Sequence, residues 1–292
     1  MMRSLLFVPG DSPDKLEKAS RASADALILD LEDSVAVRQK AEARREVLAF
    51  LQAQRNVEDS PLLFVRINAL TTPFADGDLD VVMTGAPDGI VLPKASGGQD
   101  VALLAVRLSL REALHGLDEG NTKIVPITTE SASAVFGLGS YKDASPRLSG
   151  LTWGAEDLAA DIGALATRIE GEWSEPVRVV RSLALFAAAA AGVPAIDTVH
   201  TDFRDLEGLR RDCSAAVRDG FSGKLAIHPD QVEIINQAFS PTPEALEEAA
   251  RIVAAFAEPG AGGVTSIDGR MLDRPHLEAA ERLLKRAGPI SS

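Results

Sequence analysis

Eight short apolar runs recur along the 292-residue chain, most of them ending on a polar or charged residue. They are Leu5–Val8, Ala26–Asp30, Leu62–Arg66, Gly89–Lys94, Ile124–Glu130, Gly150–Asp157, Ala195–Asp197 and Gly223–His228. Segments with helical patterning separate them. That alternation calls for an α/β fold with a parallel sheet and crossover helices, and eight repeats are the number that closes a (β/α)8 TIM barrel. The carboxyl ends of barrel strands open onto one mouth, so the polar residues that end these runs are expected to meet there.

Bulk properties narrow the function. The chain is 46% hydrophobic and 25% charged, enough to bury a large core. Its 43 acidic residues against 30 Lys and Arg give a formal charge of −13, which repels nucleic acid and anionic membrane surfaces. Cys213 is alone, and the opening Met1-Met-Arg-Ser-Leu-Leu-Phe-Val-Pro-Gly10 breaks its apolar run too early for a signal peptide. A cytoplasmic setting is expected. The alanine-rich stretch Leu183–Ala191 is too short to span a bilayer and reads as a buried barrel helix.

Helices are expected at Asp14–Arg21, Ser34–Gln54, Pro73–Met83, Gln99–His115, Ala132–Leu138, Val177–Ala191, Leu206–Asp219 and Asp230–Phe239. In Gln99–His115 the apolar stripe is read as Leu103, Leu104, Leu108 and Leu110. The catalytic barrel is thus expected to span 1–239. Residues 240–292 form a C-terminal extension: an amphipathic helix over Glu244–Ala257, a Gly-rich linker over Glu258–Gly263, a hairpin turning at Asp268-Gly269, and a helix over Pro275–Arg286. This extension has too few apolar residues to fold alone and must pack on a barrel, its own or a neighbour's.

Glu130, Glu156 and Asp157 end the fifth and sixth runs, which would bring oxygen donors together as Mg²⁺ prefers. The plainer reading is that Asp157 caps a helix starting at Leu158 and that Glu130 is solvated. The second run ends Leu29-Asp30-Leu-Glu32-Asp33-Ser34; Asp33 or Ser34 would cap the next helix, and Asp30 or Glu32 would orient a cation or a metal-bound water. Arg66 offers a guanidinium fork for a carboxylate or an oxyanion, or for a salt bridge with those acids. Lys94 in such company reads as an ion-pair partner rather than a Schiff-base lysine, and His228, before Pro229, as a turn residue behind the site. Gly154 lets backbone approach a ligand, and the amides of Gly154, Ala155 and Glu156 could hold a carboxylate. Asp273 either caps the last helix or serves as an acid on a lid.

Taken in order, Arg3-Ser-Leu-Leu-Phe-Val-Pro-Gly10, Leu27-Ile-Leu-Asp-Leu-Glu-Asp-Ser-Val35, Phe64-Val-Arg-Ile-Asn68, Gly89-Ile-Val-Leu-Pro-Lys94, Trp153-Gly-Ala-Glu-Asp-Leu158, Gly223-Lys-Leu-Ala-Ile-His-Pro229 and Asp268-Gly-Arg-Met-Leu-Asp-Arg-Pro-His276 resemble the citrate lyase beta-subunit-like family of the HpcH/HpaI aldolase superfamily. The likeness covers nearly the whole chain. It implies a Mg²⁺-dependent barrel, with Mn²⁺ as a substitute, assembled as a trimer or a multiple of one. Such proteins break or make a carbon–carbon bond beside a thioester, as in malyl-CoA and citramalyl-CoA lyases. The resemblance assigns the metal to Glu130 and Asp157, oxyanion stabilisation to Arg66, and to Asp273 a place on a lid often donated by the adjacent subunit. One departure stands out: where the family commonly reads Ile-Glu-Thr, this chain has Ile127-Thr128-Thr129-Glu130-Ser131.

The chemistry expected is Claisen-type cleavage of a 3-hydroxyacyl-CoA into an acyl-CoA and a 2-oxo acid such as glyoxylate or pyruvate, with Asp273 as the base. The rivals are a 2-keto-3-deoxy acid aldolase working without CoA, a citryl lyase acting on an acyl carrier protein thioester, and a silent scaffold subunit. Retention of the acids and Arg66 argues against the last.

Overall fold

A computed structural model describes residues 2–55, 57–258 and 263–287. The chain falls into two compact units, residues 2–236 and residues 237 onward.

In the first unit seven parallel strands form one sheet: β1 (Ser4–Pro9), β2 (Ala26–Asp30), β3 (Leu62–Arg66), β4 (Gly89–Leu92), β5 (Lys123–Pro126), β8 (Ile196–Asp197) and β9 (Gly223–Ala226). Their order is β5-β4-β3-β2-β1-β9-β8. Strands such as β2 are buried on both faces, the signature of a parallel sheet covered by helices. The side chains of Leu5, Ala26, Ile28, Phe64, Val91, Val125, Ile127, Ile196 and Leu225 meet in one core cluster.

The two edges of the sheet, β5 and β8, are joined through residues 148–152. Ser149 N–H donates to Ile124 O at 3.0 Å and Thr152 N–H to Pro126 O at 3.1 Å; on the other side Leu151 N–H donates to Pro194 O and Ile196 N–H to Leu151 O, each at 2.9 Å. The sixth run therefore closes the TIM barrel as a stave of isolated bridges, not as a regular strand reaching Asp157. Gly150 packs where a Cβ would lie 3.0 Å from Ile196 Cδ1, so this stave is slim where the ring closes.

Helices α1 (Pro13–Ser20), α2 (Lys40–Gln54), α3 (Ala75–Val82), α4 (Gly98–His115), α5 (Ala132–Gly137), α6 (Glu156–Asp161), α7 (Glu175–Ala191), α8 (Leu206–Asp219) and α9 (Pro229–Phe239) alternate with the staves, and α9 runs across the border of the two units. A small hairpin, β6 (Arg168–Ile169) with β7 (Glu172–Trp173), precedes α7 and has no counterpart in the sequence reading.

Three local expectations are corrected. The helix after β2 starts at Lys40, not Ser34, because the buried Lys40 ammonium donates to Leu31 O and Glu32 O, each at 2.8 Å, and a 3-10 turn over Val37–Gln39 precedes it. On α4 the buried stripe is Val101, Leu104, Leu108 and Arg111; Leu103 and Leu110 point outward, as a 3.6-residue period demands of positions one off that stripe. The stretch Leu183–Ala191 is amphipathic, with Ala184, Ala187 and Ala188 buried and Phe186 62% exposed.

The second unit comprises α10 (Pro243–Ala257), the antiparallel hairpin β10 (Val264–Ile267) and β11 (Arg270–Asp273), and α11 (Arg274–Ala287). Asp268 and Gly269 both have positive φ, 50° and 76°, as a two-residue hairpin turn requires. Arg251 on α10 holds Asp268 at 2.6 Å. Most of the Gly-rich linker lies outside the described residues.

Candidate active site

Parallel register sets Asp30 directly beside Arg66 at the ends of β2 and β3. The pair is bidentate: Arg66 Nε donates to Asp30 Oδ1 and Nη2 to Oδ2, each at 2.7 Å. The other Arg66 nitrogen, Nη1, lies 2.9 Å from Glu32 Oε2 and 3.8 Å from Asp33 Oδ2. The guanidinium also stands 4.9 Å from the Phe7 ring centroid, within cation–π range. Burial alone would raise the Asp30 pKa, but the Arg66 hydrogen bonds and charge hold it below the usual carboxylate range. The same acids raise the Arg66 pKa against its burial. Backbone N–H groups of Glu32 and Ser34 donate to Asp30 as well, so the chain after β2 is wound around that carboxylate. Neither Asp33, which is exposed, nor Ser34 caps a helix here.

Lys94 connects this group to Glu130. It sits just past β4 with φ 52°, a left-handed backbone rare outside glycine, and that conformation turns its N–H onto Glu130 Oε2. Its ammonium pairs with Glu32 Oε1 and lies 3.6 Å from Asp33. Lys94 is thus an ion-pair partner, and its pKa is raised by Glu32 despite the desolvation that opposes it.

Glu130 is 6% exposed, which removes the solvated reading. Burial, with Glu32 and Asp157 facing it, pushes its pKa up to about 8; the Lys94 N–H and charge pull the other way without prevailing. A buried acid surrounded by acids has its charge favoured only when a cation arrives. Asp157 is the second residue of α6, whose N-cap is Ala155, so it is not the cap of a helix starting at Leu158.

Gly154 lets Glu130 and the 154–157 loop come together, since a Cβ there would stand 2.9 Å from Glu130 Cγ. Thr129, fully buried, clamps the same glycine: Gly154 N–H donates to Thr129 Oγ1 at 3.2 Å, and the hydroxyl donates back to Gly154 O at 3.3 Å. The Gly154 amide is therefore engaged within the protein. Ala155 and Glu156, at the start of α6, have backbone amides with no intrahelical partner. The Glu156 side chain is exposed and accepts from Thr167 at 3.3 Å. The sequence reading did not single out Thr129; its signal was a hydroxyl on a buried stave beside a presumed ligand.

His228 stands apart from this cluster. Its ring stacks on Phe203, with centroids 5.0 Å apart, and its Nδ1 accepts from Asp230 N–H, which makes it a turn residue. Asp273 ends β11 in the second unit, where its carboxylate meets His276 Nδ1 at 2.5 Å.

Among the described residues no three His, Cys, Asp or Glu side chains converge into a protein-only metal cage. A Mg²⁺ site does not need one, because that ion keeps several waters and takes one or two carboxylates. Glu130 with Asp157 suits it: hard oxygen donors, one of them buried among like charges that a cation would offset.

Known proteins resemble the chain over nearly its whole length. The family model for HpcH/HpaI aldolase/citrate lyase matches residues 3–229, and one for a C–C bond lyase of the TIM-barrel fold matches residues 177–289. The chain is 34% identical over 289 residues to citrate lyase subunit beta of Leuconostoc mesenteroides subsp. cremoris, covering 98% of this chain and 93% of that protein. It is 35% identical over 301 residues to (3S)-malyl-CoA thioesterase of Cereibacter sphaeroides, covering 99% and 96%. The crystal structure of CitE from Mycobacterium tuberculosis, in complex with magnesium, acetoacetate and coenzyme A, superposes with a TM-score of 0.76 at 35% identity over 98% of each chain. By the family match and by full-length identity, the chain belongs to the HpcH/HpaI aldolase/citrate lyase family.

Proposed function

We propose that this protein is a Mg²⁺-dependent carbon–carbon lyase that splits, or forms, a 3-hydroxyacyl-CoA such as malyl-CoA or citramalyl-CoA, the other products or reactants being an acyl-CoA and a 2-oxo acid. The observation that carries the reading is the buried Glu130, its pKa raised to about 8 by burial among facing acids, linked through Lys94 and Glu32 to an arginine fork already held by Asp30. Magnesium, acetoacetate and coenzyme A in the CitE structure support it.

In this reading Glu130 and Asp157 hold the metal, for which Mn²⁺ would substitute. When bound, the ion supplies Lewis-acid polarisation of the 2-oxo acid. The free amides of Ala155 and Glu156 receive the acid's carboxylate, and Gly154 shapes the loop that presents them. In the condensing direction Asp273 removes the α-proton of the acyl-CoA, and the unengaged N–H groups of Arg66 stabilise the enolate oxygen. In cleavage Asp273 takes the 3-hydroxyl proton instead. Asp30 keeps the Arg66 fork from rotating, while Glu32 and Lys94 lock the loops beside it.

The (3S)-malyl-CoA thioesterase relative favours a second reading in which hydrolysis of the thioester follows on the same substrate class. An acyl carrier protein thioester is the alternative donor that the resemblance to citrate lyase beta subunits implies. Turnover of malyl-CoA and citramalyl-CoA, measured beside the carrier-bound thioesters and free 2-keto-3-deoxy acids, tests the proposal. Cleavage of the sugar acids alone would overturn it.

The base has its own test. Asp273→Asn should still bind Mg²⁺ and pyruvate yet lose exchange of acyl-CoA α-protons with deuterated solvent. We also propose a homotrimer, or a multiple of one, in which the second unit serves a neighbour's barrel. Mixing Asp273→Asn with Glu130→Ala subunits should then restore part of the activity, and no recovery after proven mixing would refute that assembly. Among the described residues no helix is long and apolar enough to cross a membrane.

A further inference from the structure

Behind the barrel wall lies a second set of buried charges, outside the cluster just described. Lys224 on β9 is fully buried, Asp197 on β8 is 1% exposed and Arg181 on α7 is 8% exposed. The Asp197 carboxylate receives Lys224 Nζ at 3.2 Å, Arg181 Nε at 3.2 Å and the indole N–H of Trp153 at 2.9 Å. Arg181 reaches on to Asp219 at 2.6 Å. Such a layer is expensive to bury, and apolar residues of the same volume would serve stability as well.

What the layer does is visible at Trp153, the residue before Gly154. On the β8 side, the backbone hydrogen bonds of the sixth stave stop at Leu151. The indole–carboxylate bond continues the tie from that side toward the 154–157 loop as a buried hydrogen bond, whereas the Thr167–Glu156 bond farther along the loop is exposed. On the β5 side, Thr129 clamps Gly154. The loop that carries Asp157 is thus held between a threonine hydroxyl and one buried carboxylate. Trp153 is fully buried and packs edge-on against Trp173, centroids 5.5 Å apart, so its ring has no room to compensate by swinging.

We propose that Asp197 is a positioning residue for the metal-binding loop: held by Lys224 and Arg181, it fixes the Trp153 indole and through it the backbone of Gly154–Asp157. The inference rests on the reading of Glu130 and Asp157 as Mg²⁺ ligands.

Trp153→Phe tests it, because the variant keeps an aromatic ring and leaves Asp197 paired with both cations. Three readouts apply to the full-length protein: Mg²⁺ affinity by calorimetry, amide hydrogen exchange over residues 153–158, and the melting temperature. Expected are a roughly tenfold weaker Mg²⁺ affinity, as for loss of an outer support of a metal ligand, and faster exchange confined to 153–158 at a nearly unchanged Tm. Should Trp153→Phe fail to fold, the paired change Asp197→Leu with Lys224→Met removes the anchor without stranding a buried ammonium, leaves Arg181 on Asp219, and should loosen the same six amides. Unchanged exchange at 153–158 in a folded variant overturns the proposal, as does faster exchange with wild-type Mg²⁺ affinity. If the wild-type protein binds no Mg²⁺ while exchange still rises only there, the metal reading fails and the anchoring by Asp197 stands.

Discussion

Two glutamates of the barrel unit are almost equally buried and behave in opposite ways. Glu112 on α4 is fully enclosed, and its carboxylate is filled: Arg147 donates through Nη1 to Oε1 at 2.7 Å and through Nη2 to Oε2 at 2.5 Å, and the amides of Thr122 and Gly120 add bonds at 3.0 and 2.9 Å. Desolvation works against its charge, but these partners win and bring its pKa down to about 2. Glu130 receives one backbone N–H and faces two other acids, and its pKa rises to about 8. Burial is common to both. What separates a structural acid from one awaiting a cation is whether the protein has already supplied the positive charge.

The sharpest way to break this comparison is to remove each acid and ask what is lost. Glu130→Ala should abolish divalent-dependent turnover, a fall of at least about a thousandfold given the Lewis-acid role assigned to the metal, while Tm stays within a few degrees because only the Lys94 backbone N–H loses its acceptor and no charged partner is stranded. Full activity of Glu130→Ala in a chelated buffer would end the metal assignment. Arg66→Lys comes next. It keeps the charge but loses the planar fork, so kcat should drop roughly 10²–10³-fold at unchanged Tm; an unaltered kcat would take Arg66 out of the chemistry.

Glu112→Ala should do the reverse of Glu130→Ala. It leaves Arg147 buried without its counterion, which costs roughly 3–5 kcal/mol of stability, yet kcat for the protein that remains folded should match wild type. A smaller version of the same test is pH. The folded pKa of Glu112 lies below its unfolded value of 4.5, so its contribution is complete above that value and is lost as pH falls toward about 2. The amount is about 3 kcal/mol. Denaturant unfolding between pH 5 and pH 3 should show the loss in wild type and not in Glu112→Gln, and parallel curves would refute the assignment.

Much of the frame is readable from residues because parallel strands are buried on both faces and so appear as unbroken apolar runs ending at the mouth. Asp30 and Arg66 are legible as neighbours once their runs are aligned, and the hairpin at Asp268-Gly269 follows from turn chemistry alone. The sixth stave is less legible, since Gly150 and Gly154 leave it without the regular ladder that β-prone residues would advertise. The start of α2 escaped because a buried lysine, not a cap, ends the preceding loop. Lys224 was the overlooked clue: a lysine in the middle of the buried Gly-Lys-Leu-Ala strand requires a buried counterion, and that requirement leads straight to Asp197.

Gly154 carries a consequence of a different kind. Position 154 bears no functional group, yet a single methyl there would collide with Glu130 Cγ at 2.9 Å, while hydrogen bonds hold Glu130 to the Lys94 N–H and Gly154 to Thr129. Among descendants of this sequence, positions 130 and 154 are therefore not free to drift independently. A lineage that enlarges 154 must shorten or surrender the acid opposite it, and an alanine at 154 in a relative would mark a barrel that has left this chemistry before any charged residue had changed.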